Sequence, residues 1–209
     1  MNIALYRLIA GFKRFREKYS LSNERLATSG QTPKTLLIGC SDSRVDPAIM
    51  TGASPGELFV VRNVANLIPP CEPSAVGFHG TSSALEFAVV NLKVENIIIL
   101  GHRQCGGIRA LMNGITTDPN SFIGQWMKIA AEVPAKVISE NPHLDKEHHY
   151  RIAEMEALKI SYKNLQTFPF IKAAVENRHM NVIAVYYDLE QGLLWELDSL
   201  TQQFKQIEI

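Results

Sequence analysis

The sequence has no excess of charge of either sign: its 209 residues carry 21 Lys plus Arg against 21 Asp plus Glu. That balance offers no electrostatic footprint for a nucleic acid or an anionic membrane. Cysteine is sparse, three in all. An odd, low count argues against a disulfide framework and for a reducing, cytoplasmic setting. Long apolar runs are also lacking. The strongest, at 97–100 and 182–185, fall far short of the roughly 20 residues of a spanning helix. Arg7 interrupts the apolar start, so no cleaved leader is expected, although Lys13, Arg14, Arg16 and Lys18 follow. There is no internal repeat, linker or low-complexity tract. What is there, 46% hydrophobic with mixed charge, can bury a core, which excludes disorder.

Leu5, Leu8, Phe12, Phe15 and Tyr19 recur at spacings of 3 and 4, which predicts an amphipathic helix over the first 20 residues. Its stripe reads as a docking face for this chain or a sister chain rather than a membrane-surface face. A short second helix is predicted over 23–28, with Ser22 as N-cap. Near-continuous apolar runs at 35–38, 58–61, 97–100 and 182–187 predict strands buried on both faces, hence parallel. A fifth strand at 193–197 follows too closely to be anything but antiparallel. Helical patterns occupy 82–92, 104–112, 122–138, 147–166 and 170–177. The expected fold class is α/β: a mostly parallel central sheet of four strands plus an antiparallel fifth, flanked by helices, with an N-terminal helical arm. The whole chain, 1–209, reads as one domain whose first 30 residues form the arm.

In open α/β sheets ligands bind beyond the carboxyl ends of strands. The first strand runs into Cys40-Ser41-Asp42-Ser43-Arg44 and the third into Gly101-His102-Arg103-Gln104-Cys105-Gly106-Gly107. If those strands are neighbours, Cys40, Asp42, His102 and Cys105 converge, a ligand set suited to tetrahedral zinc. The helix predicted from Gln104 would favour the thiolate of Cys105. Asp42 has two places to go. On the metal it shuts the site, and on Arg44, through a bidentate fork, it leaves a position open for water. The same two residues could thus act as a gate, or be a loop ion pair.

These motifs, with the blocks at 55–66 (Pro-Gly-Glu-Leu-Phe-Val-Val-Arg-Asn-Val-Ala-Asn) and 83–89 (Ser-Ala-Leu-Glu-Phe-Ala-Val), resemble the β-class carbonic anhydrases. The resemblance is to plant-like bacterial members, including the type that accompanies cyanate degradation, and runs from about Phe12 to Trp195. It implies one zinc per chain on Cys40, His102 and Cys105, with Asp42 paired to Arg44 in the active form and on the metal only in a closed form. It implies reversible CO2 hydration to bicarbonate and a proton, by attack of zinc-bound hydroxide. It also implies a substrate pocket of Gln31, Phe59, Val64, Phe87 and the Gly106 amide, built across a dimer interface so that Gln31 or Phe59 serves the neighbour's zinc. The implied assembly is a homodimer or tetramer embraced by the N-terminal arm.

Three positions depart from the family pattern. Phe87 stands where plant-like members often have Tyr, and Asn91 where some have His, which puts the proton's exit route in doubt. Leu37 stands where bicarbonate-regulated bacterial members have Trp, so no bicarbonate-locked closed state is expected. Cys71, His79, His148 and His149 are read as loop or helix-start residues without a catalytic part. The readings that compete are a catalytically silent zinc-stabilised assembly module and a CS2 or COS hydrolase on the same scaffold.

Overall fold

The structure is a computed structural model that describes residues 3–72, 79–114 and 120–208, with residues 20–26 and 29 as helical backbone. The chain divides into two compact units, Met1–Thr32 and Pro33–Ile209. The first is one continuous helix, α1 (Ile3–Ser29). The two helices predicted there are therefore one. The Ser22 side chain lies outside the described residues, and its backbone is mid-helix, where no N-cap exists. Leu5, Leu8, Phe12 and Phe15 are exposed on α1.

The second unit holds a six-stranded sheet: β1 (Thr35–Cys40), β2 (Leu58–Asn63), β3 (Asn96–His102), β4 (Asn181–Asp188), β5 (Leu193–Leu197) and β6 (Phe204–Gln206). Their order is β2-β1-β3-β4-β5-β6. The first four are mutually parallel, and β5 and β6 are antiparallel. The expected sheet is thus present with one strand more. β6 has no signal in the sequence, because Phe204-Lys205-Gln206 carries a single apolar residue and no alternation.

From β1 the chain steps to β2 on one side, and β3 then pairs with β1 on the other. That reversal is a topological switch point, where diverging loops leave a crevice at the carboxyl ends of β1 and β3. Both strands are apolar and buried almost throughout, which fixes their depth in the molecule.

The helices are α2 (Pro47–Thr51), α3 (Gly80–Glu86), α4 (Gly106–Met112), α5 (Phe122–Met127), α6 (Val133–Glu140), α7 (Lys146–Leu165) and α8 (Pro169–Arg178). Three predicted helices are shortened or broken for local reasons. The one expected from Gln104 begins only at Gly106, because Gln104 is left-handed (φ 57°) and Cys105 is an extended cap. The one at 122–138 divides before Pro134, which sits in the first turn of α6. The one at 82–92 ends as a wide π turn over Phe87–Asn91. The short α2, capped by Asp46, had no periodic signal.

One core cluster includes Leu36, Ile38, Ile97, Ile99, Leu158 and Tyr186. The other gathers Cys40, Val45, Ala65, Leu67, Cys105, Ile108, Ala153 and Ala157. Helix α7 contributes to both clusters. It lies so close to β3 that a Cβ on Gly101 would stand 3.1 Å from Leu158 Cδ2.

Candidate metal centre and active site

Cys40 is the last residue of β1 and His102 the last of β3, and the two strands pair in register from Thr35↔Asn96 onward. Their ends therefore lie side by side. Cys105 follows as the cap of α4. All three residues are buried, and their donor atoms lie within 4.8 Å of one another. The Cys40 and Cys105 sulfurs are 3.9 Å apart. Zinc–sulfur bonds of about 2.3 Å in a tetrahedral site would set two sulfurs about 3.8 Å apart, so the spacing fits a shared metal ion.

His102 gives the second sign. Its Nδ1 bonds the Arg103 carbonyl at 2.8 Å, and its Nε2 is buried without a hydrogen-bond partner. With the proton on Nδ1, a lone pair on Nε2 is left for a metal. A buried, unpaired polar atom is costly unless something occupies its lone pair.

The two thiols titrate as a pair. The hydrogen bond from Cys105 lowers Cys40 to about 4, helped by His102 and the Asp42 amide. Cys105 is correspondingly pushed up by Cys40 and by burial. While the pair shares one proton, each thiol's titration is set chiefly by the other. A divalent cation would take both sulfurs as thiolates.

Asp42 faces Arg44. Arg44 Nε donates to Oδ1 at 2.9 Å, Nη2 to Oδ2 at 2.7 Å, and the Arg44 amide to Oδ1 at 2.9 Å. These bonds hold the Asp42 carboxyl well below the usual carboxylate range. Arg44 Nη2 also donates to the Gln104 carbonyl at 2.9 Å, tying the loop after β1 to the loop after β3.

A second arginine, Arg62 on β2, braces the same loop from below. It donates to the carbonyls of Cys40 (2.9 Å) and Asp42 (2.6 Å) and pairs with Asp46 at 2.9 Å. In the sequence Arg62 falls inside the 55–66 block. A charged residue in an otherwise apolar strand was the available signal.

The five pocket residues expected from the resemblance lie on different elements, four of them in the second unit. Val64 follows β2 at the metal end. Its Cγ1 would stand 2.9 Å from a Cβ on Gly107, and its carbonyl accepts from Trp126 Nε1 at 2.8 Å. Gly106 opens α4, where first-turn amides lack intrahelical acceptors. Phe59 is paired in register with Leu36, four residues before Cys40, or about 13 Å along the strand. Phe59 and Phe87 stack on each other, ring centroids 5.9 Å apart, with Phe87 exposed. Gln31 is exposed and belongs to the first unit.

Among the residues set aside, Cys71 donates its amide to Thr167 Oγ1 at 2.7 Å, and His79 Nε2 lies 3.7 Å from Glu72. His148 bonds Asp145, the cap of α7, at 2.8 Å, and His149 the Asn141 carbonyl at 2.8 Å. Leu37 is buried within β1.

The carbonic anhydrase family matches residues 35–194. β-Carbonic anhydrase 3 of Arabidopsis thaliana is 34% identical over 206 residues, covering 95% of this chain and 79% of that protein. The β-carbonic anhydrase CcaA superposes with a TM-score of 0.88 at 31% identity, over 100% of this chain and 94% of that one. A tetrameric β-carbonic anhydrase from the ascomycete Sordaria macrospora superposes with a TM-score of 0.80 at 28% identity, over 93% and 94% of the two chains.

The chain belongs to the β-class carbonic anhydrases. Members of that family are lyases that catalyse the hydration of CO2 with zinc, and the Cys-His-Cys group here fits that ion. No described helix is long and apolar enough to cross a membrane.

Proposed function

We propose that this chain interconverts CO2 and bicarbonate at a zinc ion held by Cys40, His102 and Cys105, with Asp42 and Arg44 as the gate of that site. The observation that carries the reading is the unpaired, buried Nε2 of His102 beside two sulfurs 3.9 Å apart. Zinc in such a site acidifies water and supplies a nucleophile near neutral pH. Three protein donors leave one position for that water only if Asp42 stays away, and the Arg44 fork keeps it away. No bicarbonate-locked form is expected, in keeping with Leu37.

Val64, Phe59 and Phe87 offer apolar walls to a neutral gas and exclude surplus water. The amides of Gly106 and Gln31 are suited to stabilising charge that develops on oxygen. The separation of Phe59 from Cys40 along the strands, and the exposed Phe87, favour a pocket completed by a second copy. The exposed stripe on α1 suits an arm that embraces that copy, giving a homodimer or tetramer around one catalytic domain per chain. CO2 and bicarbonate are then the partners, with no nucleic acid or membrane among them. A cytoplasmic location accords with two of the three thiols being required in reduced form.

Zinc analysis beside stopped-flow CO2 hydration tests the reading. One zinc per chain with hydration well above buffer supports it. One zinc per chain without hydration would leave a zinc-stabilised assembly module instead.

A further inference from the structure

Glu154 is a carboxylate with no part in the chemistry above, yet it is among the few buried charged residues, 4% exposed. It sits on α7 between Ala153 and Ala157, on the face that packs against the sheet. Both its oxygens are used. Oε1 accepts the backbone N–H of Cys105 at 3.0 Å, and Oε2 accepts the hydroxyl of Tyr186 at 2.7 Å. Tyr186 is fully buried on β4, opposite Gly101 in register. One carboxylate thus joins α7, β4 and the segment that carries a metal ligand.

That segment needs a tether. Cys105 follows the left-handed Gln104 and precedes α4, so its N–H belongs neither to the sheet nor to the helix ladder. The Cys105 carbonyl is already the first acceptor of α4, taking the Arg109 amide at 2.9 Å. Its N–H and carbonyl are therefore held from opposite sides, and the bond to Glu154 fixes where the Cα–Cβ bond points. Metal sites whose ligands are held by outer hydrogen bonds lose affinity when those bonds go.

We propose that Glu154 is a positioning residue for the metal centre: its carboxylate, oriented by Tyr186, holds the Cys105 backbone so that the sulfur meets Cys40 and His102. What matters in this assignment is an acceptor at the right reach, not the negative charge. The proposal rests on the Cys40–His102–Cys105 reading of the preceding section.

The test is zinc affinity of the full-length chain, measured by competition with a chromophoric chelator, alongside the thermal midpoint before metal is added. Glu154→Leu should bind zinc about 10–100-fold more weakly. Should that variant not fold, Glu154→Gln and Glu154→Asp decide the matter. Gln keeps an acceptor at the right reach without the charge, and its affinity should stay close to that of the unaltered chain. Asp keeps the charge one methylene short, and should be weaker by about tenfold or more. The reverse order, or unaltered affinity in either the Leu or the Asp variant, overturns the proposal. Cys40→Ser serves as the reference. If it retains full zinc affinity, the three-residue centre itself is wrong. If it loses zinc while Glu154→Asp does not, only the role of Glu154 fails.

Discussion

Arg44 grips Asp42 through both carboxylate oxygens and through its own backbone amide, at 2.7–2.9 Å. An arginine so close in sequence, with Nη2 also donating to the Gln104 carbonyl and Nη1 to its side-chain Oε1, makes the carboxylate's position a property of the loop. Arg44→Ala should therefore lower kcat/KM for CO2 hydration by about 10–100-fold while zinc stays at one per chain. Full activity in that variant would remove the gate from the mechanism.

Cys40→Ala should lose both zinc and activity, since two donors cannot complete a tetrahedral site. Metal analysis after dialysis against a chelator distinguishes this outcome from that of Arg44→Ala.

The proposed pocket, completed by a second copy, makes a complementation prediction. Cys40→Ser lacks the metal but keeps Gln31, whereas Gln31→Ala keeps the metal and lacks its partner's amide. Neither alone should approach full activity. Random pairing after co-refolding should restore about a quarter of it. No gain on mixing would place Gln31 at its own chain's zinc or outside the pocket altogether.

Gly107 packs under the turn at Val64. A Cβ there would stand 2.9 Å from Val64 Cγ1 and 3.1 Å from Ala65 Cβ, and Ala65 is itself left-handed with φ 64°. Gly107→Ala should cost about 1–3 kcal/mol of stability, read as a lower thermal midpoint, and should lower kcat/KM by displacing Val64. An unchanged midpoint would mean that the turn yields freely.

The pH dependence of stability has a local source on α7. Burial works to raise the Glu156 carboxyl, but Lys136 at 2.6 Å and Lys159 at 2.7 Å outweigh it, and the net shift is downward. A carboxyl whose folded pKa is depressed contributes stability above its unfolded pKa, about 4.3. That contribution is lost as pH falls through the lower folded value. Lys136 is well exposed, so solvent screens the pair, and Glu156→Gln should cost no more than about 1 kcal/mol at pH 7. The gap between the two proteins should narrow below about pH 4, as read from denaturant midpoints. A gap that widened on acidification would reverse the sign of the shift.

Much of this molecule is legible from short apolar runs and from what ends them. The runs at 35–38 and 97–100 read as strands because β-branched and aliphatic residues leave no polar face, and their ends carry Cys40 and His102. The elements that did not read are those set by tertiary contacts. β6 pairs with β5 through backbone bonds that three residues cannot advertise. The delayed start of α4 depends on Gln104 being left-handed, which its residue type does not signal. Asp42 and Arg44 could be paired on spacing alone, but Arg62 and Glu154 reach the site from 22 and 49 residues away in the chain. Periodicity could mark Glu154 only as a charge on an apolar helix face.

The pairing of β1 with β3 makes the metal centre a check on strand alignment. His102 and Cys105 are neighbours in the chain, while Cys40 lies 65 residues from Cys105 and arrives only through that pairing. A slip of one residue would carry Cys40 about 3.3 Å along the strand and turn its sulfur to the opposite face of the sheet. Only the native alignment assembles all three donors, so a tightly held metal is also a sign that the sheet has closed correctly.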